Sequence, residues 1–412
     1  MNEARNVLTR RQVLERAGAA AALMSIPGLP FGRLEGVARG AARATRPLRI
    51  GQLLTLSGPL GSVGADLQKG FVTYVRQNGS RLGGRKIQFF VEDDAGDPRI
   101  ALQKAERLVS ERGVDVVTGV VLSNVAIALR DFFHSNKVPL IISQAAADEL
   151  TRAEGSPYIF RAAYTNYMIG ASMGRWFYRN IAKDGVFTAA PNYSAGQEIM
   201  AGFVDTYTKA GGKIGGQVFP PFGTVTDYQP FLSQIQSARP SAVFAFFPGA
   251  DAIRFVRQYS EFGLKRSIPL HGAFITDPAA VLNAQGSTAQ GIGSAAIWAA
   301  ELRNQRNARF LAMYERLYGQ GEPSTFAATG HNASQLLDEA LKSIKGDTSN
   351  KARFLTAMKN VGTFQTPSGI FTLDPKTQNP VRNFYLRQAR FEGGKWQNKL
   401  LSNLGSFRDP GR

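Results

Sequence analysis

From residue 48 onward, short apolar runs take turns with longer stretches of helical spacing. Leu48–Leu54 is a compact apolar run, closed by the turn Ser57-Gly58-Pro59. Residues 63–77 then show helical spacing, and Asn78-Gly79 ends them. Residues 86–91 predict a second strand, closed by Glu92-Asp93-Asp94. Asp97 followed by Pro98 reads as a helix start, because a carboxylate accepts the first free amides and proline needs no donor at the first helical position. Leu102, Ala105, Leu108 and Val109 form one apolar stripe, and Gly113 stops that helix. Residues 114–118, 124–136 and 139–143 repeat strand, helix, strand. Alternation of this kind predicts an α/β fold, a mostly parallel sheet covered on both faces by helices.

The same rhythm restarts further along. Strands are predicted over 186–190, 213–219, 242–247 and 269–274, with helices near 195–210, 228–238 and 250–262. Two βα series in one chain argue for two similar, doubly wound lobes. Residues 304–360 are mainly helical, and 383–390 alternate like a final strand.

Composition narrows the function. The 412 residues suggest two or three domains at roughly 100–200 residues each. Lys and Arg number 49 against 31 Asp and Glu, a net charge of +18. Binding along a phosphate backbone needs basic residues gathered on one face. Here they are scattered, and the longest pure Lys/Arg runs are two residues, as in Arg10-Arg11, Arg85-Lys86 and Lys265-Arg266. The charge therefore reads as a solvated basic surface with no nucleic-acid partner. Cysteine is absent, which excludes disulfides, thiolate metal sites and a cysteine nucleophile. It also sets the expectation that the chain is not a lipoprotein.

The N-terminus reads as an address. Thr9-Arg10-Arg11-Gln12-Val13-Leu14 precedes a weakly apolar stretch, 17–31, that contains Gly18, Pro27, Gly28 and Pro30. A membrane span needs ~20 apolar residues without such breakers. A charged region, a short apolar region and then small residues describe an export signal. The paired arginines resemble the twin-arginine (Tat) signal, and Ala42-Arg43-Ala44 supplies a cleavage site. The competing reading is a frayed basic amphipathic helix. On the export reading, residues 1–44 are a Tat signal and the rest is a soluble periplasmic protein.

Catalytic signatures are mostly missing. Gly58-Pro59-Leu60-Gly61-Ser62-Val63-Gly64 fits neither the dinucleotide nor the P-loop pattern, and reads as a glycine-rich βα turn whose backbone approaches something small. There is no G-x-S-x-G elbow and no H-E-x-x-H motif. His134, His271 and His331 lie in separate segments and read as packed or surface residues. Glu92, Asp93 and Asp94 at a strand end point in different directions and read as structural. No catalytic residue, metal site or cofactor is assigned.

An exported two-lobed α/β chain without catalytic apparatus resembles a periplasmic solute-binding protein. Specific stretches resemble the type I, leucine/isoleucine/valine-binding-like family that serves ABC importers. They include Ser57-Gly58-Pro59, Glu92-Asp93-Asp94-Ala95-Gly96-Asp97-Pro98, Val116-Val117-Thr118-Gly119 with Ser123, and Pro139-Leu140-Ile141-Ile142-Ser143-Gln144-Ala145-Ala146-Ala147. Tyr158-Ile159-Phe160-Arg161, Tyr193-Ser194-Ala195-Gly196, Phe262-Gly263-Leu264 and Pro323-Ser324-Thr325-Phe326-Ala327-Ala328 continue the match, which covers residues 47–392.

The resemblance implies a type I fold whose three crossings form a hinge, here near residues 163, 298 and 382. Lobe 1 is then 45–163 with 299–382, and lobe 2 is 164–298 with 383–412. The solute sits between them, at the carboxyl ends of the strands. Ser123 and the amide of Asn124 open a helix whose unpaired N–H groups favour an anion, and Ala145 to Ala147 offer backbone groups beside it. Without the resemblance, Ser123 is equally read as a plain N-cap. Carry-over places Val63, Asn166, Tyr193, Phe274 and Phe326 around the ligand. Amino-acid binders of the family bring acidic residues to the ammonium where this chain has Asn166 and Phe274. A buried ammonium without a carboxylate partner carries a heavy desolvation penalty. The site therefore suits a hydrophobic carboxylate, with an aromatic acid favoured, although Asp251 or Asp277 remains open as a cleft residue. Three other readings remain: amino-acid or amide binding by the same fold, an exported cofactor enzyme, and a sensory receptor. The partners implied are a small-molecule solute and an inner-membrane ABC permease, with the binding protein itself a monomer.

Overall fold

The computed structural model describes residues 46–152, 154–319, 321 and 323–411. The export signal expected over residues 1–44 lies outside them. The chain begins with β1 (Leu48–Leu54), α1 (Gly61–Gln77), β2 (Arg81–Leu82), β3 (Arg85–Asp93), α2 (Pro98–Glu106), β4 (Val116–Gly119), α3 (Ser123–Asn136), β5 (Leu140–Ile142) and β6 (Ile159–Arg161). These strands form a six-stranded sheet in the order β2-β3-β1-β4-β5-β6. All neighbours run parallel except the short edge strand β2, and Ile50 on β1 faces Phe89 on one side and Val116 on the other.

The second lobe starts with α4 (Asn166–Asn180), then β7 (Val186–Ala189), α5 (Ser194–Lys209), β8 (Ile214–Val218), α6 (Gln229–Ala238), β9 (Ala242–Ala245), α7 (Gly249–Glu261), β10 (Leu270–Ala273), α8 (Ala279–Gln285) and β11 (Gly293–Ala296). The chain then returns to the first lobe with α9 (Gln305–Tyr318), α10 (Thr325–Ser343) and α11 (Lys351–Lys359). It ends in β12 (Thr363–Thr366), β13 (Gly369–Leu373), β14 (Pro380–Glu392) and β15 (Lys395–Phe407). The second sheet follows the order β12-β13-β14-β11-β10-β9-β7-β8, with β15 paired to β14. The strand expected over 383–390 is thus longer and not final: it pairs antiparallel with both β11 and β15.

Both sheets carry apolar side chains on both faces, as the strand composition requires. On the first sheet, Leu53, Val117, Leu129 and Phe133 pack on one side. Leu48, Ile50 and Phe160 meet Leu336, Leu337 and Leu341 of α10 on the other. The second sheet buries Phe177, Phe203 and Phe244 on one face, with the last two rings stacked at 4.0 Å, and Phe247, Phe255 and Tyr259 on the opposite face. Along α2 and the helical turn 107–111 that continues it, the buried stripe is Ala101, Ala105 and Leu108, while Leu102 is exposed. The helix therefore sits one position round from the expected stripe, and small alanines let it lie close to the sheet.

Three connections join the lobes: β6 to α4, β11 to α9, and β13 to β14. Two buried arginines tie the first to the third. Arg161 donates to the Asn379 Oδ1 at 2.9 Å and to the carbonyls of Ala145 and Ala147, each at 2.8 Å. Arg382 donates to the carbonyls of Ala162 at 3.0 Å and Ala163 at 2.8 Å. Burial pulls both guanidinium pKa values down to about 10, so both stay charged at neutral pH. The C-terminal Asp409 adds a third tie, accepting from Thr165 Oγ1 at 2.6 Å and from Arg152.

Candidate ligand-binding cleft

Parallel strands release their βα turns at one edge, and in open α/β sheets that edge is where ligands bind. The cleft of this molecule is lined by such turns from both lobes. Leu60 and Val63 follow β1, Val121 to Ser123 follow β4, Gln144 and Ala146 follow β5, and Tyr164 and Asn166 follow β6. From the second lobe come Tyr193, Ala195 and Ile199 after β7, Phe246, Pro248 and Gly249 after β9, and Phe274 and Asp277 after β10. Phe326, at the start of α10, completes the lining.

The lobes touch at the rim. Gly249 has φ +55°, and a Cβ there would lie 2.9 Å from Leu60 Cδ2 and 3.0 Å from the Pro59 carbonyl of the opposite lobe. Phe222 packs against the first lobe's core while stacking on Tyr193 with centroids 4.3 Å apart.

Three helices begin in the cleft without side-chain caps. The N-cap residues of α3, α5 and α7 are Leu122, Tyr193 and Pro248, none of which supplies a capping bond. A helix start carries unpaired N–H groups and the positive end of the helix dipole, so three of them around one cavity favour an anion. Leu122 rather than Ser123 is the N-cap of α3, which removes the reading of Ser123 as a cap. By contrast, α4 and α10 are capped by Thr165 and Ser324, whose side chains accept from Met168 and Ala327 amides.

Aromatic rings make the walls. Tyr164 stacks on Phe274 at 5.2 Å, Phe274 tilts against Phe326 at 6.0 Å, and Tyr193 stacks on Phe246 at 6.4 Å. Phe274 holds a φ of +51°, a backbone strain of a kind that gathers at binding sites, and this conformation sets its ring between Tyr164 and Phe326.

Polar groups are few. Asn166 Nδ2 donates to Ser123 Oγ at 3.3 Å and to Glu198 Oε2 at 2.7 Å, and that same oxygen accepts from the Asp148 amide at 3.1 Å. Burial, and then the charge of Asp148, push the Glu198 carboxyl up to about 7. Asp277 is buried and ion-paired with Arg387, and burial raises its pKa against the pull of that guanidinium. Asp251 does not line the cavity. Its carboxylate accepts from the Gly223 amide at 2.9 Å and pairs with Arg254 at 3.0 Å.

Of the residues singled out in the sequence, the cavity brings together Val63, Ser123, Asn166, Tyr193, Phe274 and Phe326. Three lie off it. Asn124, expected to offer only its backbone amide, turns its side chain to solvent. Ala145 and Ala147 sit behind the wall: the Ala145 amide is bonded to the Val120 carbonyl at 3.0 Å, and both alanine carbonyls accept from Arg161. Ala146, between them, is the alanine that reaches the cavity. The glycine-rich turn also reads differently. Cβ atoms on Gly61 and Gly64 would lie 2.6 Å from the Leu56 carbonyl oxygen and 1.9 Å from that of Thr55, so these glycines let α1 press on its own strand end. Leu60, Gln144, Tyr164, Phe246 and Gly249 were missed. Each follows an apolar run by a few residues, which is the one signal that points to them.

The acidic turn is structural. Glu92 pairs with Lys104 and Arg107, Asp93 accepts from the Leu56 and Ala95 amides, and Asp94 accepts from Thr55 and Gly96. His134 bonds Ser156, His271 accepts from the Gly293 amide, and His331 bonds Gln77. Among the described residues no group of His, Cys, Asp or Glu is placed to hold a metal, and no helix is long and apolar enough to cross a membrane.

Known proteins share this architecture. A solute-binding protein of an ABC transporter from R. palustris, solved in complex with benzoate, is 32% identical with a TM-score of 0.80, covering 89% of this chain and 99% of that one. A second, from Rhodopseudomonas palustris BisB5 in complex with 3,4-dihydroxybenzoic acid, is 29% identical with a TM-score of 0.81 over the same shares. The Leu/Ile/Val-binding protein homolog 7 of Brucella abortus (strain 2308) is 25% identical over 390 residues, 88% of this chain and 92% of the relative. The family model for periplasmic binding proteins matches residues 47–395. The chain therefore belongs to the periplasmic binding protein family, as a type I solute-binding protein of ABC transporters.

Proposed function

We propose that this chain captures a small hydrophobic carboxylate, an aromatic acid, between its lobes and delivers it to an ABC permease in the inner membrane. One observation carries the reading: three uncapped helix starts converge on a cavity walled by aromatic rings. The positions expected to hold an ammonium are the uncharged Asn166 and Phe274, and the one acidic residue on the wall among the described residues, Asp277, is paired with Arg387. The benzoate and dihydroxybenzoate complexes of two relatives support the same chemistry.

The lobes, 45–163 with 299–382 and 164–298 with 383–412, act as a hinged pair. Solute exchanges when they part, and its contacts to both lobes favour the closed form that a permease recognises. Binding is the whole reaction, and no covalent step is assigned. On this reading residues 1–44 are a Tat export signal, and the mature chain works as a soluble periplasmic monomer without a lipid anchor. Mass spectrometry of the small molecule that copurifies, followed by calorimetry on refolded, ligand-stripped protein, tests it. An aromatic acid in the cleft is expected. Tight leucine binding with no response to aromatic acids overturns the reading in favour of branched-chain amino acids, which the name of the Brucella relative favours.

A further inference from the structure

We infer that the cleft selects a hydroxylated aromatic acid over an unsubstituted one, through acceptors in its wall that take the hydrogen of a ring hydroxyl. This rests on the aromatic-acid reading and goes one step beyond it. The first observation is Gln144. Its Nε2 donates to the Tyr164 hydroxyl at 2.6 Å, while its Oε1 is buried without a hydrogen-bond partner among the described residues. A buried acceptor left unpaired is destabilising, and this one belongs to a residue of the cavity wall. The second observation is Asp277, a residue of the same cavity wall. The two acceptors gather around one ring: Tyr164 bonds Gln144, feels the charge of Asp277, and stacks on Phe274.

The ion pair decides which donor suits. Asp277 and Arg387 together are neutral, and both are buried. An ammonium brought to Asp277 would meet the guanidinium as a third, uncompensated charge. A hydroxyl donates one hydrogen to a carboxylate lone pair and adds no charge. The cleft thus pairs donors at its helix starts with acceptors around Tyr164. A plain benzoate satisfies only the first set; a hydroxybenzoate has a group for each.

Calorimetric titration of the ligand-stripped full chain with benzoate, 3- and 4-hydroxybenzoate, 4-methoxybenzoate and leucine tests this. At least one hydroxybenzoate is expected to bind about tenfold or more tighter than benzoate, the size of effect that one buried hydrogen bond supplies. The methoxy compound, which has no hydrogen to donate, is expected to gain nothing over benzoate. Gln144→Leu is expected to shrink the hydroxybenzoate-to-benzoate ratio. Asp277→Asn should shrink it too, but it strands the Arg387 charge, so the ligand series on unaltered protein carries the decision. Equal or tighter binding of benzoate overturns this inference and leaves the aromatic-acid reading standing. Binding of leucine with no aromatic acid bound overturns both.

Discussion

Two helix starts in the first lobe, α2 and α3, differ in what their amides do. Asp97 caps α2, its carboxylate accepting from the Arg99 amide at 2.7 Å and the Ile100 amide at 3.2 Å, and these bonds hold its pKa below the usual carboxylate range. Leu122 stands at the same place before α3 and caps nothing. The first start has met its own hydrogen-bonding needs and faces solvent. The second leaves amides open where Leu122 and Ser123 line the cavity. A capped start is architecture, whereas an uncapped one at a cavity is an anion site in waiting. Tyr193 before α5 and Pro248 before α7 repeat the uncapped pattern from the other lobe.

Several substitutions test how far that contrast goes. Ser123→Asp places a carboxylate where the solute's own should sit, and is expected to weaken aromatic-acid binding by about 100-fold or more, read by calorimetry. Retained binding would mean that α3 does not hold the anion. Gly249→Val adds a branched side chain at a φ of +55° and a Cβ 2.9 Å from Leu60 across the rim. It is expected to hold the lobes apart and lower affinity by roughly 10–100-fold, with a more open form in small-angle scattering. Tyr193→Ala removes the ring stacked on Phe222 and Phe246, and should lower affinity about tenfold.

The capped start gives the opposite outcome. Asp97→Ala should lower the melting temperature by roughly 1–3 °C and leave solute affinity unchanged. The smallest effect concerns pH. Glu198 has its carboxyl raised to about 7 in the fold, so the native state holds a proton that the unfolded chain has released. Its contribution to stability is present below the ordinary glutamate pKa and is lost as pH rises through about 7. Glu198→Gln, which keeps an acceptor for the Asp148 amide, should flatten that decline in a series of melting curves between pH 4.5 and 7.5. An identical slope in both proteins would show that Glu198 does not titrate there.

The double βα rhythm was legible because a strand buried on both faces must be apolar throughout, and a covering helix must repeat its apolar residues every turn. Asp97-Pro98 was legible because capping is decided within three residues. The β12–β13 hairpin was not, since Thr363 and Gln365 alternate with little apolar content and the pair is held by contact with β14. Nor was the placement of Ala145 and Ala147. A run of alanines after a strand looks like a ligand loop, and only Arg161, reaching in from β6, takes their carbonyls. Gln144 was in view as part of the same run, yet nothing local marks its side chain rather than the alanine backbone as the group that meets the cavity.

By itself the sequence determined the kind of the main strands and helices in the two βα series and the cap of α2, because both follow from interactions between neighbours in the chain. Tertiary structure alone decided that Leu122, Tyr193 and Pro248, 126 residues apart from first to last, face one cavity. It alone decided that Asp277 arrives there already paired with Arg387 from a strand 110 residues later. Convergence of this sort depends on how two sheets are joined by three connections, and no local pattern of apolar and polar residues carries that information.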